Sequence, residues 1–157
     1  MSARILFVCL GNICRSPTAE GVFRHRAWQA GFTSLQIDSA GTEGWHVGKA
    51  PDPRTVAAAQ RRGYDLSALR ARQVSAADFD NFDIVLAMDK QNLAELKSIA
   101  PRGVKTRVEL FLDYAEDTSF SEVPDPYYGG DAGFEQVLEL IEQASDGLIA
   151  RLRGGQL

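Results

Sequence analysis

The stretch ILFVCLGNICRSPTAEGVF, residues 5–23, begins as a buried β-strand and ends as a helix. Its first residues form an apolar run of strand length, and Ser16 and Pro17 are typical of a helix N-cap and first helical position. The turn between strand and helix contains a glycine, an arginine and both cysteines of the chain, Cys9 and Cys14. Chain reversal does not require these residue types, so the turn is a candidate functional site.

The composition is that of an ordinary globular protein. The chain has 157 residues, of which 45% are apolar and 24% charged, and we expect one domain spanning residues 1–157. The net charge of −4, from 17 basic and 21 acidic residues, argues against a nucleic-acid partner. No apolar run reaches the ~18 residues of a membrane helix, and the N-terminus lacks a signal-peptide pattern. We therefore expect no membrane partner and a cytoplasmic location.

The cysteine content narrows the chemistry further. Two cysteines are too few for a secreted disulfide scaffold, which favours a reducing compartment. Their C-x4-C spacing, without further cysteines or clustered histidines, is a poor zinc site. The spacing also differs from the C-x-x-C of thioredoxin-like redox proteins.

Apolar strand-like runs alternate with helical patterns along the chain, which is typical of βαβ units. We predict an α/β fold in three layers, a doubly wound four-stranded parallel sheet with helices on both faces and a phosphate-binding loop after strand 1. The predicted strands are 5–8, 35–39, 82–88 and one within 104–112. The predicted helices run from Ser16 to Gly31, from Asp52 to near Gly63, around 75–79, from Asp89 to before Pro101, and from about 134 to 152.

The loop after the first strand is expected to be an anion site. It lies at the carboxyl end of a strand, where doubly wound folds bind ligands, and it leads into a helix N-terminus whose N–H groups and dipole attract anions. Arg15 adds a planar fork of donors that matches two phosphate oxygens. We expect Gly11 to take a positive φ and Asn12 to tolerate a left-handed conformation. Cys9 would lie beneath the bound anion, as a thiolate stabilised by the same groups.

Several motifs of the chain resemble the low-molecular-weight protein tyrosine phosphatases. The segment CLGNICRS matches the C-x5-R-[ST] loop of that family, directly after the first strand. The segments DSAGT (38–42), PDPR (51–54), AMD (87–89) and DPYYGG (125–130) are also similar to the family, so the resemblance covers the whole chain. A lone C-x5-R is a weak signal, but its position together with the downstream D-P-Y-Y makes the resemblance specific.

The resemblance implies a role for each residue of a catalytic set. Cys9 would be the nucleophile that forms a phosphocysteine intermediate, and Arg15 would bind the phosphoryl oxygens. Asp125 would protonate the leaving phenolate and then activate the hydrolytic water. Ser16 would hydrogen-bond the Cys9 thiolate, and Asn12 would hold the shape of the loop. Neither a metal nor a cofactor is implied, because backbone amides and Arg15 supply the positive potential.

Other residues are expected to contact the substrate. The loop residues that would surround the phosphate are Leu10, Gly11, Asn12, Ile13, Cys14 and Ser16. Trp45, Tyr127 and Tyr128 would wall the pocket and face the substrate ring, although they could equally be a loop anchor and core or turn residues. Asp125 lies between two prolines, so simple turn chemistry is the alternative for it.

Cys14 has two interpretations. A loop wrapped around one anion would bring residues five positions apart to the same cavity. In the family that the chain resembles, such a second cysteine forms a reversible disulfide that protects the nucleophile from overoxidation. The alternative is that Cys14 only packs beneath the loop. The histidines, His25 and His46, have no persuasive catalytic role in the sequence.

Three alternative functions come from the same fold or loop. Arsenate reductases need further cysteines for their relay, which this chain lacks. Protein-arginine phosphatases typically carry Thr where this loop has Ile13, and an apolar residue favours an aromatic phosphoester. A phosphotyrosine-binding module would have lost the nucleophile or the acid, and both are present. We therefore predict a phosphatase that acts on phosphotyrosine-containing proteins and binds phosphate or other oxyanions as product or inhibitor.

Two further features of the sequence bear on the site. Leu69 stands before RARQ (70–73), where many family members carry His, so the support behind Asn12 is expected to be built differently. Residues 113–131 contain six acidic residues and no Lys or Arg. If this segment rims the pocket, basic peptides should be favoured; a solvated acidic loop is the alternative.

Overall fold

The computed structural model describes residues 3–155 and 157. Met1, Ser2 and Gln156, which the expected domain 1–157 includes, lie outside these residues. In the described chain, four parallel strands form one sheet, and helices cover both of its faces. The elements in chain order are β1 (Arg4–Cys9), α1 (Arg15–Gln29), β2 (Gln36–Gly41), α2 (Pro53–Arg61), α3 (Asp78–Asn81), β3 (Ile84–Ala87), α4 (Lys90–Ile99), β4 (Arg107–Leu110), a 3₁₀ turn (Phe111–Tyr114) and α5 (Asp131–Arg153).

The strand order β2-β1-β3-β4 places β1 at the centre of the sheet. Every neighbouring pair is parallel, and Cys9 at the end of β1 is opposite Gly41 at the end of β2. The carboxyl ends of the strands therefore meet at one edge of the sheet, where the loop after β1 begins. The predicted doubly wound parallel fold is confirmed, with the bounds of β1, β2 and β3 one or two residues from the predicted ones.

Alternate side chains of β1 enter two separate cores. Ile5, Phe7 and Cys9 belong to the core beneath α1, α2 and α5, whereas Leu6 and Val8 belong to the core beneath α3 and α4. Both faces of β1 are thus buried, which explains why its sequence is continuously apolar instead of alternating. This period-two alternation also decides that the Cys9 side chain lies on the same face of the sheet as α1.

The start of α1 differs from the prediction. Ser16 was expected as the N-cap and Pro17 as the first helical residue, but the helix begins at Arg15 and its N-cap is Cys14, without a side-chain cap hydrogen bond. The Ser16 hydroxyl is fully buried and lies 3.0 Å from the Cys9 Sγ. The Ser16 hydroxyl therefore contacts the Cys9 thiol and does not cap the helix. The helix ends as predicted, with Gly31 at φ 95°.

The other helix starts follow the sequence more closely. Asp52 and Asp89 are N-caps as predicted, each accepting a hydrogen bond from a backbone N–H of the first turn. The short helix expected around 75–79 begins later, at Asp78, because the Asp78 carboxylate accepts from the N–H of Ser75 and turns the preceding residues. None of the described helices is long and apolar enough to cross a membrane.

We predict that Gly147→Ala destabilises the fold. A Cβ at this position in α5 would lie 1.7 Å from the carbonyl oxygen of Tyr114, which is backbone and cannot rotate away. Overpacking of this kind should lower the free energy of unfolding by about 3 kcal/mol. Urea denaturation followed by circular dichroism measures the loss.

Gly133→Ala is the matched control in the same helix. A Cβ there meets the Pro126 Cβ at 3.6 Å, an ordinary contact, so this variant should unfold at the wild-type urea concentration or slightly above it. Equal midpoints for the two variants would show that α5 and the turn before it do not pack as described.

Candidate active site

The loop between β1 and α1 closes around a single point. Cys9 ends β1, Arg15 begins α1, and Asn12 between them takes φ 59°, the left-handed region. Gly11 was expected to take the positive φ, and that prediction is wrong. Gly11 leaves room for His46 instead, since a Cβ there would lie 3.0 Å from the Cδ2 of His46 and that side chain would have to shift.

The Cys9 sulfur lies at the floor of this loop and is surrounded by donors. The backbone N–H of Asn12 donates to the Sγ at 3.3 Å, and the Ser16 hydroxyl lies 3.0 Å from it. The N-terminus of α1 adds its dipole, since no side chain caps it. Cys9 is buried, with 3% of its surface exposed. These hydrogen-bond donors are placed to stabilise a thiolate at Cys9.

The Arg15 guanidinium is buried beside the same point. Its Nη1 donates to Asp89 Oδ2 at 2.6 Å and to the carbonyl of Val123 at 3.1 Å. Burial lowers the pKa of Arg15, but the charges of Cys9 and Asp89 raise it more, so the net shift is upward and the cation persists. Asp89 was predicted only as a helix cap. One of its carboxylate oxygens caps α4, and the other accepts the hydrogen bond from Arg15.

Asn12 is held by a buried polar network. Its Nδ2 donates to the hydroxyls of Ser16 at 2.8 Å and Ser39 at 3.0 Å, and its Oδ1 accepts from the backbone N–H of Arg72 at 2.9 Å. Leu69 packs against the core. The support behind Asn12 therefore comes from hydroxyls and backbone, and the sequence did not identify Ser39 or Arg72 as parts of it.

A cavity of about 160 Å³ opens above the Cys9 sulfur. Of the predicted contact residues, Asn12 and Ser16 do not line the cavity; both are buried, and they hydrogen-bond each other. The residues that line it are Cys9, Leu10, Gly11, Ile13, Cys14, Arg15, Trp45, His46, Asp125, Tyr127 and Tyr128. His46 is the lining residue that sequence reasoning dismissed, although its position directly after Trp45 was a usable signal.

A larger cavity, of about 960 Å³, lies at the opposite edge of the sheet. It is lined by the amino ends of the strands, with Arg4, Ile84 and Arg107 among its residues, and no cysteine or histidine of the described chain is in its lining. Size therefore does not identify the reactive site. The smaller cavity combines a thiol, a cation and a carboxyl group.

Aromatic side chains form the walls of the smaller cavity. Trp45 and Tyr128 are largely exposed, and Tyr127 packs edge-on against Tyr128 with ring centroids 5.0 Å apart. Arg54 holds this wall, since its guanidinium lies over the Tyr127 ring and its Nη2 donates to the Tyr127 carbonyl at 2.9 Å. The carboxylate of Asp52, the N-cap of α2, pairs with the same guanidinium. The walls can accept a planar ring.

Asp125 is both a turn residue and a lining residue of the cavity. Its Oδ1 accepts from the backbone N–H of Tyr127 at 3.0 Å, which is the turn chemistry that we considered as the alternative. Its Oδ2 lies 3.7 Å from the Nη2 of Arg15, at the cavity, and 42% of the side chain is exposed. The turn therefore aims the carboxyl group at the cavity, and the two interpretations are compatible.

Cys14 shares the cavity with Cys9. Both cysteines are free thiols and both are buried. Burial raises the pKa of Cys14 to about 12, so at neutral pH it is a thiol. The two cysteines thus have different environments, since the Cys9 sulfur accepts a backbone hydrogen bond that stabilises its charged form.

The acidic segment 113–131 does not rim the cavity as a whole. Glu116 and Asp117 line a different cavity, with Gln143 and Asp146 of α5. Asp146 lies 15 positions beyond the start of α5, so this cavity is roughly 22 Å along the helix from its N-terminal end. The condition for a preference for basic peptides, that the whole segment rims the active-site cavity, is therefore not met: Asp125 lines that cavity, whereas Glu116 and Asp117 do not.

Comparison with known proteins places the chain among phosphatases. The sequence model of the low molecular weight phosphotyrosine protein phosphatases matches residues 4–156. The low molecular weight protein-tyrosine-phosphatase YfkJ of Bacillus subtilis is 43% identical over 150 residues, which are 95% of this chain and 95% of that protein. No group of three or more described His, Cys, Asp or Glu side chains is placed to hold a metal ion.

Two solved structures have the same fold. The crystal structure of a protein tyrosine phosphatase from Entamoeba histolytica, with Hepes in the active site, has a TM-score of 0.95 at 41% identity and covers 99% of this chain and 100% of its own. The crystal structure of a Drosophila arginine phosphatase has a TM-score of 0.90 at 30% identity and covers 95% of this chain and 97% of its own.

Proposed function

The chain belongs to the low molecular weight phosphotyrosine protein phosphatase family, and we propose that Cys9, Arg15 and Asp125 carry out its reaction. The protein is an enzyme that hydrolyses phosphotyrosine in proteins through a phosphocysteine intermediate. One observation carries the assignment of the residues. A thiol, a buried guanidinium and a carboxyl group meet at one cavity, with the thiol on its floor and the backbone N–H of Asn12 3.3 Å from the sulfur.

In the first step the Cys9 thiolate attacks phosphorus from below. The bond between sulfur and phosphorus forms as the bond between phosphorus and the tyrosyl oxygen breaks. Arg15 and the N–H groups of the loop hold the phosphoryl oxygens, where charge is largest. Asp125 donates its proton to the departing oxygen, so that tyrosine leaves as a neutral phenol.

In the second step water hydrolyses the phosphocysteine. Asp125, now a carboxylate, removes a proton from the water as its oxygen attacks phosphorus, and the sulfur–phosphorus bond breaks. Ser16 and the N–H of Asn12 stabilise the thiolate that leaves, because both lie within hydrogen-bond reach of the Sγ. Phosphate departs, and Asp125 is again protonated for the next cycle.

The walls of the cavity support phosphotyrosine-containing proteins as the substrate. Trp45, Tyr127 and Tyr128 present aromatic faces, and Ile13 adds an apolar contact for a substrate ring. Phosphate and other oxyanions would bind the loop as product or inhibitor, and the Hepes in the active site of the Entamoeba phosphatase supports this. The net charge of −4 disfavours nucleic acid and anionic membranes as partners. A reactive thiol suits a reducing compartment, which supports a cytoplasmic location.

We predict that the purified enzyme hydrolyses para-nitrophenyl phosphate and a phosphotyrosine peptide at unchanged rates with chelator present. Cys9→Ser should abolish turnover of both, because the hydroxyl is a far weaker nucleophile than the thiolate. Cys14→Ser is the matched control and should retain most of the activity in reductant. The proposal would be overturned if the Cys9→Ser variant turned over either substrate, or if chelator abolished turnover by the wild-type enzyme.

A phosphoarginine peptide in the same assay tests the second candidate function, protein-arginine phosphatase. The Drosophila arginine phosphatase, of the same fold, is the observation that favours this candidate. We expect the phosphotyrosine peptide to be preferred, because Ile13 and the aromatic walls contact a ring. A higher kcat/KM for phosphoarginine would replace the proposed substrate.

A leaving-group series tests Asp125. Asp125→Ala should slow phenyl phosphate roughly 100-fold or more and para-nitrophenyl phosphate much less, because a good leaving group needs no proton. The control is Asp117→Ala, which removes a carboxyl group from the cavity beside Asp146 and should leave both rates unchanged. Equal slowing of the two esters would exclude Asp125 as the general acid.

Peroxide treatment tests a protective role of Cys14. Peroxide converts the Cys9 thiolate to a sulfenic acid, and the Cys14 sulfur then displaces water to form a disulfide that dithiothreitol reduces. Since the pKa of Cys14 is raised to about 12, the thiolate fraction and the closure rate should rise between neutral and alkaline pH. Wild type should regain activity in dithiothreitol, whereas Cys14→Ser should lose it permanently; full recovery of Cys14→Ser would refute the role.

A further inference from the structure

Glu20 is a buried carboxylate that the mechanism does not use. It lies in the second turn of α1, and only 5% of its surface is exposed. Its Oε1 accepts a hydrogen bond from the Ser39 hydroxyl at 2.7 Å, and its Oε2 accepts one from the Nη2 of Arg24 at 2.7 Å. A carboxylate this deep is costly unless both oxygens are satisfied, and here both are.

Ser39 connects Glu20 to the phosphate loop. A carboxylate can only accept, so the Ser39 hydroxyl must donate to Glu20, and its oxygen is then available to Asn12. The Nδ2 of Asn12 donates to that oxygen at 3.0 Å. The Glu20 carboxylate thereby fixes the Ser39 hydroxyl as an acceptor for the Asn12 amide. If the hydroxyl were turned the other way, its hydrogen would point at the N–H group of Asn12 and the hydrogen bond would be lost.

Asn12 passes this orientation on to the nucleophile. The Asn12 amide is fixed at one end by the N–H of Arg72 and at the other by Ser16 and Ser39. Since Ser16 accepts from Asn12, its own hydrogen is left for the Cys9 sulfur, 3.0 Å away, which is nearer than the alternative acceptor, the carbonyl of Ala40 at 3.4 Å. The same Asn12 has φ 59° and donates its backbone N–H to that sulfur, so a loosened amide would disturb two contacts of the thiolate.

Arg24 is the counter-ion of this network. It is 46% exposed, and its Nη2 bridges the Glu20 carboxylate and the carbonyl of Ile37 at the start of β2. Leu69 is apolar and packs against the core, so its side chain adds no hydrogen bond to this network. The hydrogen-bond network that runs from Asn12 through Ser39 accordingly ends at the Glu20 carboxylate, which is paired with the exposed Arg24.

We propose that Glu20 is a positioning residue of the phosphate loop, acting on Asn12 through Ser39, with Arg24 as its counter-ion. The inference rests on the proposed role of Cys9 as nucleophile. Glu20 itself touches neither substrate nor the reacting atoms. Its effect is to hold the loop in the conformation that binds the phosphoryl group and stabilises the thiolate, before any ligand arrives.

Glu20→Gln and Glu20→Leu test the proposal in graded form. Gln keeps an oxygen for Ser39 but loses the charge opposite Arg24, and Leu leaves the Ser39 hydroxyl without this acceptor. We expect inorganic phosphate to inhibit the Leu variant about tenfold more weakly, and kcat to fall about tenfold, the loss of one oriented hydrogen bond. The Gln variant should lie between Leu and wild type.

Alkylation separates positioning from general stability. At a fixed neutral pH, iodoacetate should modify Cys9 more slowly in the Glu20 variants than in wild type, because the hydrogen bonds from Ser16 and Asn12 to the sulfur are loosened. Glu142→Gln is the matched control: this carboxylate of α5 bonds Tyr64 and Arg62, which follow α2, away from the loop. It should lower the urea midpoint while phosphate inhibition, kcat and the alkylation rate stay at wild-type values.

Each outcome of these measurements supports or overturns the proposed role of Glu20. Glu20 variants that lose only stability, as Glu142→Gln does, would overturn the proposal. If Glu20→Leu does not fold, the Glu20→Gln variant alone tests the proposal. A folded Gln variant with wild-type kinetics would overturn the positioning role of Glu20. Turnover by Cys9→Ser would defeat the proposed function itself, whereas an inactive Cys9→Ser beside unaffected Glu20 variants would defeat this inference alone.

Discussion

The structure depends on one constraint: the loop between β1 and α1 must close around a single point beside the Cys9 sulfur. A helix N-terminus supplies N–H groups that point at one place, but only if no side chain caps it and the chain enters at the right angle. The left-handed Asn12 provides that angle, and the absence of a cap leaves Ser16 for the sulfur. The position of Cys9 on the floor of the cavity follows from the same closure.

Arg15 joins this loop to the rest of the molecule. Its guanidinium is bonded to Asp89 at the start of α4 and to the carbonyl of Val123, and it lies 3.7 Å from the Asp125 carboxyl group. One buried cation thus aligns the loop, the end of β3 and the carboxyl group that we propose as the proton donor. Asp89 divides its two oxygens between Arg15 and the α4 cap, so a helix start also orients the site.

Local sequence information was sufficient for the layout of the fold, and the resemblance to the phosphatase family supplied the identity of most lining residues. Apolar runs and helix signals identified the parallel sheet, and the C-x5-R loop with D-P-Y-Y identified the cavity residues now found together. The predictions for Gly11 and the Ser16 cap were wrong because each depended on a neighbour distant in sequence or on the thiol. Glu20 was missed for the same reason, since its meaning comes from Ser39 on another element.

The contacts that hold the loop reach far along the chain. Asn12 is bonded to Arg72, 60 residues later, and Arg15 is bonded to Asp89 and Val123, 74 and 108 residues later. Contacts of such sequence separation close large loops, which costs conformational entropy before the contact is made. During translation Cys9 therefore emerges first, but the contacts that hold its loop cannot form until Asp89 and Val123 have followed. Until then the Cys9 thiol lies outside the cavity in which the folded chain buries it.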